Sequence, residues 1–306
     1  HGSRNSRETL INSANEMKHE AHGTQQPRHI NMIGEGASTA QRSDSLVQSI
    51  NQRFLNLDFN STAMPIHPAF IHLRLHSEYS ILDSTIRIDE VVSKAVADQM
   101  PALALTDLSN LFGLVKFYQS TYRNGIKPIL GCDVWITNES DRNKPVRLLL
   151  LCQSHAGYLL LSRLLSRAYR ENQYHGRAEI KEAWLHANAS GTEGLIALSG
   201  ARYGEIGLAI LQNNLPHAET LTQKWADLFP DRFYIELQRD GHTNEAMLVQ
   251  QSLVLARKFN LPVVATQSVQ FLNAGDYRAH EARVCIAEGY VLDDKRRPRN
   301  FTEQQY

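Results

Sequence analysis

The alternation that begins at Phe70, of short apolar runs with longer segments of helical period, most constrains the fold of this chain. Short runs rich in branched side chains predict strands, and segments with an apolar residue every three or four positions predict helices. Two apolar stripes mark the clearest helices, at Tyr158, Leu161, Leu165 and Ala168 and at Ala246, Val249, Leu253 and Ala256. Seven runs predict strands: Phe70–Arg74, Ala102–Thr106, Pro128–Ile136, Val146–Cys152, Leu195–Ser199, Phe233–Leu237 and Val263–Thr266.

The runs Leu103–Leu105 and Leu148–Leu151 are continuously apolar. Parallel strands that are covered on both faces have this pattern, because neither face meets water. Strands that alternate with helices therefore predict an α/β barrel or a doubly wound parallel sheet. In both folds ligands bind beyond the carboxyl ends of the strands, so the residues after each run are the candidate site residues.

The first 64 residues lack this alternation and are rich in polar residues. We expect residues 1–64 to form a largely disordered extension, native or added in cloning, and residues 65–306 to form the folded domain. One short helix is predicted over Ser45 to Leu57, and Met64 before Pro65 is a candidate translation start. The sequence leaves open whether the extension is native.

Composition excludes several classes of protein. Lys plus Arg and Asp plus Glu are each 32, so the chain has no net charge that would attract nucleic acid over its whole surface. The three cysteines, Cys132, Cys152 and Cys285, are far apart and predict neither a disulfide framework nor a cysteine zinc site. No apolar stretch reaches the roughly 18 residues that a membrane span needs, and we expect a cytoplasmic protein.

Residues near the predicted strand ends include several metal-ligand types. His72 and His76 lie four positions apart on a predicted strand, roughly 13 Å, which is too far for both to bind one ion. Each is a structural histidine or a ligand, and Asp107 is a helix or turn cap or a ligand. The candidate positions are His72, Arg74, His76, Asp83, Asp107, Leu108, Asp133, Arg147, Ala201, Gln238, Arg239, Asp240, Ser268 and Gln270.

The string FIHLRLHSEYSILD, residues 70–83, resembles the opening of the PHP (polymerase and histidinol phosphatase) domain. Within that family it is similar to the version that begins the alpha subunit of bacterial DNA polymerase III, of the proteobacterial type. The resemblance covers residues 69 to 306 and implies a distorted (β/α)₇ barrel. It continues in five further blocks: Met100–Asp107, Asn110–Phe117, Gly125–Gly131, Pro262–Thr266 and Arg296–Phe301.

Some members of the family hold a trinuclear metal centre, and the resemblance implies that this chain has kept little of it. It retains His76 and Asp83, and Asp133 stands where those members have a glutamate, so these three residues form a vestigial metal site. Six ligand positions are replaced: Arg74, Leu108 and Arg147 stand for histidines, Ala201 for a cysteine or histidine, and Ser268 and Gln270 for an aspartate and a histidine.

Two arginines in a former metal site predict ion pairs in place of metal ions, with Arg74 and Arg147 bound to Asp83 or Asp133. The resemblance implies a catalytically inert scaffold, without a cofactor of its own, that docks a proofreading exonuclease subunit of the epsilon type. It further implies that the parent protein is a DNA-directed DNA polymerase, acting with Mg²⁺ on primer-template DNA within a holoenzyme. The catalytic aspartates of that polymerase are expected beyond Tyr306.

Two alternatives stay open. The first is a metal-dependent 3′–5′ exonuclease or phosphoesterase that binds Zn²⁺ or Mn²⁺ through a non-standard ligand set. That set is His72, His76, Asp83, Asp107 and Asp133. The second is a stand-alone protein of the same fold with an unrelated small-molecule role. Missing ligands argue against the first alternative, and the block Arg296–Phe301 argues against the second.

Overall fold

The computed structural model describes residues 70–186, 191–297 and 299–306. The predictions for residues 1–64, the helix Ser45 to Leu57 and the start at Met64, lie outside these ranges. The described residues contain eight strands: β1 Ala102–Leu105, β2 Lys127–Ile136, β3 Val146–Cys152, β4 Gln173–Tyr174, β5 Arg177–Ile180, β6 Leu195–Leu198, β7 Phe233–Gln238 and β8 Val263–Thr266. Their eight α-helices are α1 Ile88–Ala97, α2 Leu114–Arg123, α3 His155–Glu171, α4 Glu182–His186, α5 Glu205–Leu211, α6 Leu215–Leu228, α7 Glu245–Lys258 and α8 Tyr277–Glu288.

Six of the strands and one extended segment form a closed ring. The strands pair in the order β1, β2, β3, β6, β7 and β8. The extended segment around Leu75 closes the ring, because Leu75 forms a bridge with Val269 just after β8. On its other side the same segment bonds to β1, where Thr106 N donates to Leu75 O at 2.9 Å. The expected seven-membered α/β barrel is therefore present.

The strand that we predicted at Phe70–Arg74 is absent as a regular strand, and its place is taken by this extended segment. Ala104 N donates to His72 O, and Thr106 N, just after β1, donates to Leu75 O. A step of two residues on the β1 side therefore matches a step of three in the segment, as in a bulge. Leu75 N donates to the side-chain hydroxyl of Thr106 instead of to a backbone carbonyl. The ladder is thereby interrupted.

The strand β3 runs opposite to its neighbours, so the prediction that Leu148–Leu151 lies in a parallel strand was wrong. It pairs antiparallel with both β2 and β6. The connection from β2, residues 137–145, has no helix, and only a crossover of a dozen or more residues would have kept the strands parallel. Because of this reversal, the first residues of β3 lie at the same end of the barrel as the last residues of the other strands.

Strands β4 and β5 form a hairpin that the sequence pattern did not predict. Its two turn residues, His175 and Gly176, both have positive φ (49° and 78°), which is the backbone of a type I′ turn. His-Gly is not among the usual sequence signals for this turn, and β4 has only two residues. β5 then pairs with the end of β2, next to Trp135.

Helices cover the outside of the barrel. In α3 the predicted stripe faces inward, with Leu161, Leu165 and Ala168 buried. In α7 the buried side chains are Leu248, Ser252, Leu255 and Ala256, so only Ala256 of the predicted stripe is buried. Among the described residues, no helix is long and apolar enough to cross a membrane.

Candidate functional site

Six charged or titratable side chains meet inside the barrel near the carboxyl ends of its strands. The ring-closing segment supplies two of them, the turn that follows it supplies one, and β2, β3 and β7 supply one each. We call this group the ion-pair cluster. Its members are Arg74, His76, Asp83, Asp133, Arg147 and Glu236.

Arg74 is the more enclosed of the two arginines in the cluster, with 2% of its side chain exposed against 10% for Arg147. Its Nε donates to Glu236 Oε1 at 2.8 Å, and its Nη2 donates to Glu236 Oε2 at 3.0 Å. Its Nη1 donates to Asp133 Oδ2. One guanidinium therefore binds two buried carboxylates, and the planar two-bond pairing with Glu236 is geometry that lysine cannot reproduce.

Asp133 lies at the centre of the cluster, because its Oδ2 faces three cationic groups. Besides Arg74, His76 Nε2 lies 3.3 Å from this oxygen and Arg147 Nη1 lies 3.5 Å from it. The other carboxylate oxygen, Oδ1, has no hydrogen-bond partner among the described residues. Asp133 is fully buried, so its charge depends on these three neighbours for stabilisation.

Asp83 joins the second half of the cluster. His76 Nδ1 and Asp83 Oδ2 are 2.8 Å apart, and Arg147 Nη1 donates to the same oxygen at 3.3 Å. The guanidinium carbon of Arg147 lies 4.5 Å from the ring centre of Trp135 and 5.1 Å from that of Tyr203, so two aromatic rings also contact this cation. The expected pairing of Arg74 and Arg147 with Asp133 or Asp83 is present.

The pKa shifts of Asp83, Asp133 and His76 each favour the charged form of the side chain. Burial alone would raise the pKa values of Asp83 and Asp133, but the arginines and His76 outweigh it and hold both below the ordinary value. Burial alone would lower the pKa of His76, but contact with the two aspartates raises it to about 9. With His76 protonated, three positive groups face three carboxylates, and the cluster is neutral.

Glu236 is the member that sequence reasoning missed. It lies within β7, two residues before the strand-end positions that we considered, and its Oε1 also accepts from Thr266 Oγ1 at 2.6 Å and Gln238 Nε2 at 3.2 Å. The available signal was an acidic residue inside an otherwise apolar run, FYIELQ. A carboxylate that is buried in a strand needs a cation or several donors.

The side chains of two residues of the alternative ligand set, Asp107 and His72, do not join the ion pairs of the cluster, although the backbone oxygen of Asp107 accepts from Asp133 N at 3.2 Å. Asp107 accepts from Ser77 N at 2.6 Å, from Ser77 Oγ at 2.9 Å and from Ser80 Oγ at 2.7 Å. It therefore holds Ser77, the N-cap of the short 3₁₀ turn Glu78–Ser80, which precedes Asp107 in the chain. His72 packs against α1 in an apolar pocket with Leu75 and Leu103, and burial lowers its pKa to about 4. The cap that we expected Asp107 to form was for a turn or helix after its strand, whereas Asp107 binds a turn that precedes it.

The remaining replaced positions add no donor to the ion pairs. Leu108 forms an isolated bridge with Asp133 through its backbone. Ala201, Ser268 and Gln270 are buried. Of the other strand-end candidates, Asp240 is buried beside His242, with 3.7 Å between its Oδ2 and the His242 Nε2, and Arg239 pairs with Glu245.

The cluster does not fit the trinuclear metal centre that some members of the family hold. Each of its carboxylates already binds a guanidinium, and two permanent positive charges occupy the space between them. A cation would have to displace an arginine from a buried pair. Among residues 70–186, 191–297 and 299–306, no group of three or more His, Cys, Asp or Glu side chains is arranged to hold a metal ion.

Comparison with known proteins identifies the family to which the barrel belongs. The family model of the PHP domain matches residues 72–240, and the chain belongs to the PHP domain family. It is similar to proteins named DNA polymerase III subunit alpha: 48% identical over 242 residues to that of Neisseria meningitidis serogroup B, and 43% over 238 residues to that of Pseudomonas aeruginosa. The corresponding protein of Escherichia coli K12 is 41% identical over 239 residues.

These alignments cover 78% of this chain but only 20% or 21% of each relative, so the chain spans about a fifth of their length. Among solved structures, an amidohydrolase from Chromobacterium violaceum is 17% identical, with a TM-score of 0.46, over 70% of this chain and 97% of the other.

Proposed function

We propose that this chain is the N-terminal PHP domain of a replicative DNA polymerase III alpha subunit, and that its barrel is a catalytically inert scaffold. The neutral ion-pair cluster carries the proposal. In metal-bearing members of the family the cations of the site are metal ions that activate water or a phosphoester, whereas here they are guanidiniums. An arginine with a pKa above about 12 neither activates water nor gives up its proton near neutral pH.

The polymerase reaction belongs to the parent protein in this proposal. That protein would add deoxynucleotides to a primer end in the cytoplasm with Mg²⁺, through residues outside this barrel. The barrel would brace the polymerase body and dock a separate proofreading exonuclease. Proofreading by a partner explains why a nuclease site in the barrel could be replaced by ion pairs that contribute rigidity alone.

The metal content of the 306-residue chain tests the proposal. After incubation with Zn²⁺ and Mn²⁺ and removal of loosely held ions, we expect well under one ion per chain by mass spectrometry of the metals. The same preparation should not hydrolyse a 3′-labelled single-stranded oligonucleotide. Two or three retained ions, with hydrolysis that chelation abolishes, would overturn the scaffold and favour the nuclease alternative.

A further inference from the structure

The helix α2 exposes large apolar side chains where an outer helix of a barrel normally exposes polar ones. Its inward face carries Phe117 and Thr121, both fully buried. On the opposite side, the exposed fractions are 67% for Phe112, which precedes the helix, 64% for Val115, 49% for Tyr118 and 74% for Tyr122.

Ring contacts connect these side chains to one another and to the next helix. The rings of Tyr118 and Tyr122 stack with their centres 6.1 Å apart. The ring of Phe112 lies 6.2 Å from that of Tyr169, a half-exposed residue near the end of α3. We call these residues the aromatic face: Phe112, Val115, Tyr118, Tyr122 and Tyr169. A face of this kind, spread over two helices, is typical of a protein interaction surface.

The charges beside the aromatic face differ between its two margins. Toward α1, Lys116 is neutralised by Glu78 at 3.3 Å and Asp89 at 3.5 Å. Arg123 lies at the end of α2, and Arg163 and Arg170 lie on the exposed side of α3. The one carboxylate on this side, Glu171, already binds a fourth arginine, Arg167, at 2.8 Å.

We propose that the aromatic face docks an acidic segment of the proofreading exonuclease, a segment with apolar anchors for the tyrosines and carboxylates for the arginines. This assignment rests on the docking role proposed above and adds the surface and the chemistry of the partner. Charge complementarity favours an acidic segment of this kind over a second copy of this chain, because a second copy would place the arginines of both copies at one rim. Tyrosine and arginine are also the residue types that most often carry binding energy at interfaces.

The test measures the affinity of the exonuclease subunit from the same organism for the 306-residue chain. Val115→Ser and the double variant Tyr118→Ser, Tyr122→Ser should each weaken binding at least tenfold. Val254→Ser on α7 is the matched control, because Val254 is similarly exposed (55%) on another helix, and it should change affinity less than twofold. All four positions are exposed, and an unchanged Tm checks that each variant is folded.

A charge reversal tests the second half of the proposal. Arg163→Glu should weaken binding and make it less sensitive to salt, since an attraction that salt screens is lost. Arg278 on α8 is also exposed, and Arg278→Glu should leave the affinity and its dependence on salt unchanged.

The outcomes separate the surface from the docking role. If the exonuclease binds all variants equally well, the aromatic face is the wrong surface, and the docking role stands. If the exonuclease does not bind the unchanged chain, both proposals fall. If the tyrosine variants instead lose affinity for a single-stranded oligonucleotide and keep the exonuclease, the face binds nucleic acid and the assignment is overturned.

Discussion

Arg74 and Glu236 form a two-bond ion pair inside the barrel, although they lie 162 positions apart in the chain. Both belong to the ring, but they lie on members that are not neighbours, with β8 between β7 and the ring-closing segment. The pair therefore connects the first and the last thirds of the domain across its interior. Its formation requires the closed barrel.

Replacing Arg74 with Met should lower the free energy of unfolding by about 3 to 5 kcal/mol, because Asp133 and Glu236 then lose a buried counter-charge. Arg74→Lys should also destabilise the domain, since an ammonium cannot make the two parallel bonds to Glu236. Urea unfolding of the 306-residue chain measures the loss in the free energy of unfolding for each variant.

Arg167→Met is the matched control for Arg74→Met, because Arg167 binds Glu171 four residues away on an exposed helix surface. Water screens an exposed pair of this kind, so it contributes little. Arg167 also lies over the ring of Trp184, 4.1 Å from its centre, and the loss for Arg167→Met should still be much smaller than for Arg74→Met. Equal losses for Arg74→Met and Arg167→Met would show that the buried cluster does not stabilise the fold.

The stability of the domain should fall as pH rises through the range in which His76 loses its proton. Its pKa is about 9 in the folded chain and about 6.5 in an unfolded one, so its contribution is fully present below pH 6.5 and lost by about pH 9. The expected loss is about 2 to 3 kcal/mol. Thermal or urea unfolding at several pH values, compared with His76→Gln, measures it.

When the stability of His76→Gln is subtracted from that of the unchanged chain at each pH, the contributions of the other titrating groups cancel. The lowered pKa values of Asp83 and Asp133 act at the acidic end, where their contribution is lost as pH falls below about 4. A difference between unchanged chain and His76→Gln that stays constant from pH 6.5 to pH 9 would contradict a protonated His76.

Gly200 should be irreplaceable, because its backbone lies against the strand that carries Arg147. It has φ of +81°, and a Cβ there would lie 2.3 Å from the Arg147 carbonyl oxygen. Gly200→Ala should cost about 3 kcal/mol or more, since left-handed strain and a backbone clash add. Urea unfolding measures the loss.

Two glycines serve as graded controls for this substitution. Gly125 also has positive φ (+71°) but open space around it, so Gly125→Ala should cost only the backbone strain, about 1 to 2 kcal/mol. Gly275 has neither a positive φ nor an atom close to the position of a Cβ, so Gly275→Ala should be close to neutral. The same loss at Gly200 and Gly125 would mean that the contact with the Arg147 backbone is unimportant.

Most of the strands were predictable because strands have strong periodic signals, whereas the choice of a barrel over a doubly wound sheet came from the family resemblance. Six of the seven strand predictions correspond to strands of the structure, and Val146–Cys152 and Val263–Thr266 have the same limits. The direction of β3 was mispredicted, because a continuous apolar run reports burial on both faces and carries no information on direction. At the bulge, Leu75 N donates to the side-chain hydroxyl of Thr106. Sequence periodicity does not predict a bond of this kind.

The site was predictable only where the resemblance named a position. It drew attention to Arg74, Asp133 and Arg147, whose opposite charges then predicted the pairing. Glu236 was missed, because the family pattern has no ligand there and the residue lies before the strand end. Its partner is fixed by tertiary structure, and a lone acidic residue in a strand does not say which cation will meet it.

Replacing both cluster arginines with histidine should create metal binding. The double variant Arg74→His, Arg147→His would leave two new imidazoles beside His76, Asp83, Asp133 and Glu236, without the guanidiniums that neutralise the carboxylates. Nitrogen and carboxylate donors of this kind suit Zn²⁺ and Mn²⁺. We expect at least one retained Zn²⁺ per chain, with a higher Tm when the metal is present.

The control for this gain is Arg74→Met, Arg147→Met, which removes the same charges but adds no donor. It should be unstable and should retain no Zn²⁺, because the remaining imidazole and carboxylates are not held in a ligand geometry. If both double variants retain the metal equally, the arginines were excluding it by charge alone. If neither variant retains it, the barrel around the cluster has changed in shape as well as in charge, and the ion pairs are only one part of what excludes a metal ion.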